Sequence, residues 1–233
     1  MIQSYFGSLS ATLSATRRTF LKLSAGAAGC AFVPAMTAAA PVYLFGAPVQ
    51  SNPAKDPNEN IIGPKPGYSP QVGTIVSMLT WTQEAIYRST KGLTQPNLDF
   101  LFDADANTIG ALMLHLAATE VFYQANTFDG KELSEAMKQK WGPAGELGEA
   151  GRKTIKGHDR EYYLAILKET REKSLAEFAK RDDAWLMTVD KGWGWGPTNN
   201  YCKWFHVCEH ISHHSGQIAF LRKRVPAVAK SEE

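Results

Sequence analysis

The chain has 233 residues, 44% of them hydrophobic and 21% charged, which supplies one well-buried core and is too short for two ordinary domains. That composition excludes a disordered, collagen-like or disulfide-stapled protein. The formal charge is +2, but Arg17, Arg18 and Lys22 stand in the first 40 residues with no acid beside them. The remainder carries 22 basic against 23 acidic residues, without the basic footprint that nucleic-acid binding requires.

In chain order, Ser14-Ala15-Thr16-Arg17-Arg18-Thr19-Phe20-Leu21-Lys22 sets paired arginines directly before Phe-Leu-Lys. A weakly apolar run from Leu23 to Val33 follows, and then the small residues Ala38-Ala39-Ala40. Residues 1–40 thus resemble a bacterial twin-arginine export signal, which implies passage through that export machinery to the periplasm or another extracytoplasmic space. The alternatives are an ordinary secretion signal, lipidation at Cys30 and an uncleaved anchor. Pro34, Pro41 and Pro48 oppose the anchor, because they break the helix a membrane span needs. Pro41 also hinders cleavage directly after Ala40, so a neighbouring bond is an alternative cut site.

Residues 41–70 hold seven prolines among Gly, Asn and Ser, the composition of an extended arm or linker. Helical spacing begins after Pro70, and no alternating strand pattern occurs anywhere. Val72, Ile75, Leu79, Thr82 and Ile86 predict a helix over 71–91, closed by Gly92. The cluster Asp103-Ala104-Asp105-Ala106-Asn107 predicts the cap of a second helix over 107–126. Residues 127–158 are Gly-punctuated, with one short helix expected near Leu133–Lys140. Asp159 caps a third helix to Lys180, with Tyr163, Ile166, Leu167, Thr170, Ser174 and Phe178 facing inward. After the aromatic turn Gly192-Trp193-Gly194-Trp195-Gly196-Pro197, a last helix runs from Thr198 to Lys223 and stops before Pro226. The fold class is all-α: a four-helix bundle over 71–226 with a long connection between helices 2 and 3 that lets them run parallel, then a polar tail, 227–233. Cys202 and Cys208 stand six apart on one helix, a turn of about 600°, so they face different sides and do not readily pair.

Four of the six histidines lie within nine residues. His206, His210 and His214 follow one stripe of the last helix, each about 40° from the next, and Gln217 and Leu221 continue it. His115 on helix 2 shares the inward face of Ala111, Leu112, Ala118, Thr119 and Phe122. Several imidazoles aimed into one interior are costly unless something satisfies them, and a divalent cation does so. His115, His210 and His214 are therefore the candidate metal ligands. Glu120 and Glu209 turn about 140° and 100° away from the histidine faces, as solvated or interhelical charges do. Trp193, Trp195 and Trp204 gather with Tyr201 at the start of the last helix, as packing at the bundle end or as the roof of a pocket. His158 reads as a surface residue.

The run Glu209-His210-Ile211-Ser212-His213-His214-Ser215-Gly216-Gln217-Ile218, with Leu221-Arg222-Lys223-Arg224 after it, resembles the last helix of the DinB-like (DinB/YfiT-type) family. Asn107–Glu120, carrying His115, is similar to that family's second helix, and the resemblance spans about 70–225. It implies a divalent metal (Zn, Ni or Fe) held by His115, His210 and His214. His206 has no settled counterpart: a group behind the ligands, a substrate contact, a replacement ligand and a base beside the metal are its alternatives, while His213 is placed behind the ligands or on the metal. The implied activities are a metal-dependent hydrolase or a thiol S-transferase acting on a small-molecule substrate. A non-catalytic metal-binding or partner-docking bundle is the alternative. Such bundles commonly dimerise, which makes a homodimer a candidate partner state.

Overall fold

A computed structural model describes residues 60–226, so the expected export signal, residues 41–59 of the Pro-rich arm and the tail 227–233 lie outside the described residues. The elements are α1 (Pro70–Thr90), α2 (Gln95–Leu98), α3 (Ile109–Thr127), α4 (Glu135–Glu146), α5 (Gly148–Thr154), α6 (Arg160–Phe178), α7 (Asp183–Met187), β1 (Val189–Asp190), β2 (Thr198–Asn199) and α8 (Asn200–Arg222). The four long helices are α1, α3, α6 and α8, the four-helix bundle that the helical spacing predicts.

Side-chain pairs give their directions. Arg171 of α6 donates to the Leu79 carbonyl of α1, while Arg160 donates to Tyr87 and Thr90, so α1 and α6 run antiparallel. Glu120 pairs with Arg171, and Phe128 with Phe178, so α3 and α6 run parallel. Tyr123 meets His206 and His115 meets His210, which makes α3 and α8 antiparallel. Two consecutive long helices that run parallel need a crossover, and residues 128–159 supply it.

That crossover holds two helices where one was expected. Gly142, Pro143, Gly145 and Gly148 read locally as a loop, yet Trp141 and Ala144 bury themselves and α4 forms beneath them. Tertiary burial overrides propensity here. Its effect on α3 is large: that helix buries 15 of its 19 residues, so it is wrapped on nearly all sides. Leu147 ends α4 with φ 57°, the one non-glycine residue in the left-handed region among those described.

The caps are partly local. Asp159 receives the Tyr162 N–H as predicted. Helix α3 is capped by Thr108, not by the preceding acidic cluster, whose Asp103 instead holds the turn at Asp105 and Ala106. Helix α1 has no side-chain cap of its own; Asp183 of α7 accepts from the Ser69 hydroxyl and from the Gln71 and Val72 N–H groups. The aromatic turn joins two short strands that the sequence did not foretell, paired Val189 to Asn199 and Asp190 to Thr198. Two-residue strands are too short to show a period. Residues 60–69 lie along α1, where Gly63 N–H meets Ser77 and Asn60 meets Trp81. Both Cys202 and Cys208 are free thiols, as their spacing predicts. Among the described residues no helix is long and apolar enough to cross a membrane.

Candidate metal centre

Helix α3 carries His115 to the α3/α8 seam, and α8 carries His206, His210 and His214 along it. One ring nitrogen each from His115, His210 and His214 lies within 4.8 Å of the others, a group that could hold a metal ion. The closest pair, His115 Nε2 and His210 Nε2, is 2.9 Å apart. Ligands about 2.0–2.1 Å from a tetrahedral zinc stand about 3.3 Å from one another, so these nitrogens are spaced to share one ion. His115 and His214 are buried and His210 is half-buried.

The outer nitrogens are held so that the inner ones are lone pairs. His115 Nδ1 donates to the Ala144 carbonyl at 2.8 Å. That carbonyl's helical partner would be the Gly148 N–H, but the break at Leu147 turns Gly148 away, to Asn107 Oδ1 at 2.9 Å. The crossover thus supplies the acceptor that fixes a candidate ligand. His214 Nδ1 donates to Gln217 Oε1 at 2.8 Å, and the Gln217 amide donates to His213 Nε2 at 3.0 Å. His213 therefore stands behind Gln217, outside the cluster.

Burial lowers the pKa of all three rings, and each imidazole disfavours a proton on its neighbours. Desolvation leads in every case: His214 falls to about 3, His115 is lowered, and His210 is driven far down with help from His214 and His115. Neutral imidazole is the form that binds a cation. The donor set, three neutral ring nitrogens with two outer N–H groups tied to oxygen, fits a divalent transition metal.

Among the described residues no carboxylate joins the cluster. Glu120 is buried and doubly bonded to Arg171, both contacts at 2.8 Å, and receives the Ser174 hydroxyl. Glu209 is exposed, its nearest approach being 3.9 Å from His206 Nε2. His206 lies outside the three-histidine group. Its Nδ1 is 2.9 Å from the Tyr123 hydroxyl, and its ring centroid is 5.4 Å from that of His210. Trp195 sets its ring against His206 and Trp193 packs on Trp195 and Tyr123. Trp204 instead fills the bundle end among Tyr123, Phe128 and Phe178. His158 stacks on Tyr162, apart from the histidine seam.

The sequence placed the four seam histidines but not their supports. Gln217 stood on the stripe without a role, although its spacing from His214 put it within reach. Asn107 was read as a capping residue, and the Ala144 carbonyl leaves no trace in side-chain identity.

A family model described as mycothiol-S-transferase matches residues 74–227. A solved structure, described as the conserved protein of locus from Enterococcus faecalis, superposes with a TM-score of 0.52 at 16% identity, covering 65% of this chain and 94% of that one. At that identity the likeness concerns the fold. No curated protein matches significantly.

Proposed function

We infer that this chain, which belongs to the mycothiol-S-transferase family, binds one divalent cation (Zn, Ni or Fe) through His115, His210 and His214 and uses it to transfer a low-molecular-weight thiol. The observation that carries this reading is the convergence of three neutral ring nitrogens within 4.8 Å. Bound there, a divalent cation keeps its full positive charge against neutral ligands and stabilises a thiol in its deprotonated form.

The chain's own residues do the rest. Ala144 and Gln217 aim two of the rings, and burial keeps all three neutral. In the reaction the thiol's proton departs, its sulfur forms a bond to an electrophilic carbon, and the leaving group takes the electron pair of the broken bond and a proton from solvent. Hydrolysis asks for a general base that activates water. The two nearby carboxylates are engaged or exposed, with Glu120 committed to Arg171 and Glu209 at the surface, which favours thiol transfer over hydrolysis.

The test is thioether formation from mercaptoethanol and benzyl bromide, followed by mass spectrometry on the full chain loaded with Zn, Ni or Fe in turn. A metal-dependent rate that disappears in His210→Ala is expected; the same rate in parent and variant would overturn the reading. Export is likewise our proposal, resting on Arg17 and Arg18. Replacing both with lysine should leave the precursor inside the cell, and unchanged secretion would refute it.

A further inference from the structure

Thr119 stands one turn along α3 from His115, on the same inward face, and is buried at 5% exposure. A threonine inside a helix can spend its hydroxyl proton on the carbonyl one turn back. Thr82, Thr90 and Thr127, buried like it, all do so, donating to the carbonyls of Met78, Ile86 and Tyr123 at 3.0, 2.8 and 2.6 Å. Thr119 is turned instead across the seam. Its one hydrogen-bond contact among the described residues is His210 Nε2, at 3.4 Å, which is long for a hydroxyl.

That nitrogen decides what the hydroxyl can do. His210 Nε2 is the ring atom that lies 2.9 Å from His115 Nε2, so Thr119 Oγ1 stands on the side of the ring where a shared ion would lie, not behind it. An ion held there takes the Nε2 lone pair, which ends that atom's use as a hydrogen-bond acceptor. A buried hydroxyl deprived of its partner is costly, so its proton must find another acceptor close to the same point. Three protein ligands leave a tetrahedral ion one open position, and the group that fills it is an acceptor beside the hydroxyl.

We propose that Thr119 is a substrate-contact residue, whose hydroxyl donates to the anionic sulfur of the thiol held at the open position of the metal centre. This rests on the thiol-transfer reading above. A bond to an anion is stronger than one to a neutral acceptor, and the sulfur of a protonated thiol accepts only weakly, so Thr119 favours the deprotonated form. A hydroxyl already ordered inside a buried helix also loses little freedom when the thiol arrives.

The test uses the full chain loaded with Co(II), with mercaptoethanol titrated through its sulfur-to-cobalt absorption and circular dichroism run beside it. Thr119→Val keeps the shape of the side chain without the hydroxyl. It should leave Co(II) affinity within about threefold and weaken the thiol by about tenfold or more. The absorption should also move to longer wavelength, because a sulfur that has lost a hydrogen bond gives up electron density more easily; a merely structural role would not move it. Thr119→Ser, which keeps the hydroxyl, should restore both the affinity and the band. Unchanged thiol affinity and an unchanged band in Thr119→Val would overturn the proposal, as would loss of Co(II) in that variant, which would tie Thr119 to the metal instead of to the substrate. A parent chain that takes up Co(II) but no thiol would bring down the thiol-transfer reading and the proposal with it; a parent that binds thiol, matched by Thr119→Val, would bring down the proposal alone.

Discussion

Gln217 offers a measure of how far the cluster depends on the residues behind it. It accepts from His214 Nδ1 at 2.8 Å and is itself steadied by His213 at 3.0 Å. Removing an outer hydrogen bond of this type costs about 10–100-fold in metal affinity, or about 1.4–2.7 kcal/mol. His214 is buried at 6% exposure, but Gln217 lies at the surface, where water can replace its amide. Gln217→Ala should therefore fall at the mild end, about tenfold. Gln217→Leu, which covers the site without an acceptor, should approach a hundredfold. Gln217→Glu should bind as tightly as the parent or more so, because a carboxylate raises the basicity of the ring it holds. Competition with a chromogenic chelator at neutral pH measures the series, with circular dichroism to confirm the fold. Four affinities within twofold of one another would refute the role given to Gln217.

Three further outcomes follow from the packing and the buried charges. Glu120→Gln strips the partner from a fully buried Arg171 and should lower unfolding stability by about 3–5 kcal/mol in urea; a loss under 1 kcal/mol would show that water reaches the pair. Gly110→Ala would set a Cβ 2.7 Å from Tyr163 Oη and 2.8 Å from its Cζ, and the Tyr163 ring is itself buried in the core. Overpacking of about 1–3 kcal/mol, offset by about 1 kcal/mol of helix propensity, predicts a net loss, and a raised melting temperature would contradict it. The third outcome concerns acid. The three cluster histidines have pKa values below the unfolded value of about 6.5, so the metal-free chain is most stable above that pH. Stability should fall by about 1.4 kcal/mol per pH unit per histidine as pH drops below about 6, which melting curves across that range would show. A flat profile would place the rings in solvent.

The parts of the fold legible in the sequence are those whose cause is local. Val72, Ile75, Leu79, Thr82 and Ile86 all bury as their spacing requires, and Asp159 caps its helix because a cap acts on the next three residues. The histidine stripe is legible for the same reason, since i, i+4 spacing on one helix fixes which rings stand together. What escapes is whatever depends on a second element. Asp183 caps a helix more than a hundred residues away, which no spacing reveals. Helix α4 forms among glycines because Trp141 and Ala144 have α3 to bury against. The acceptor for His115 is a backbone carbonyl released by a turn at Leu147, and a carbonyl is the same for every residue. Tyr123 reads as one more aromatic on a buried helix until His206 is placed opposite it.

Metal content tests the centre most directly. The full chain, purified without chelators, should contain close to one equivalent of Zn, Ni or Fe by elemental mass spectrometry. His115→Ala, His210→Ala and His214→Ala should each lose it while retaining the helical spectrum of the parent. A parent that carries no metal and acquires none on titration, or three variants that keep the parent's metal, would contradict a shared site at these histidines.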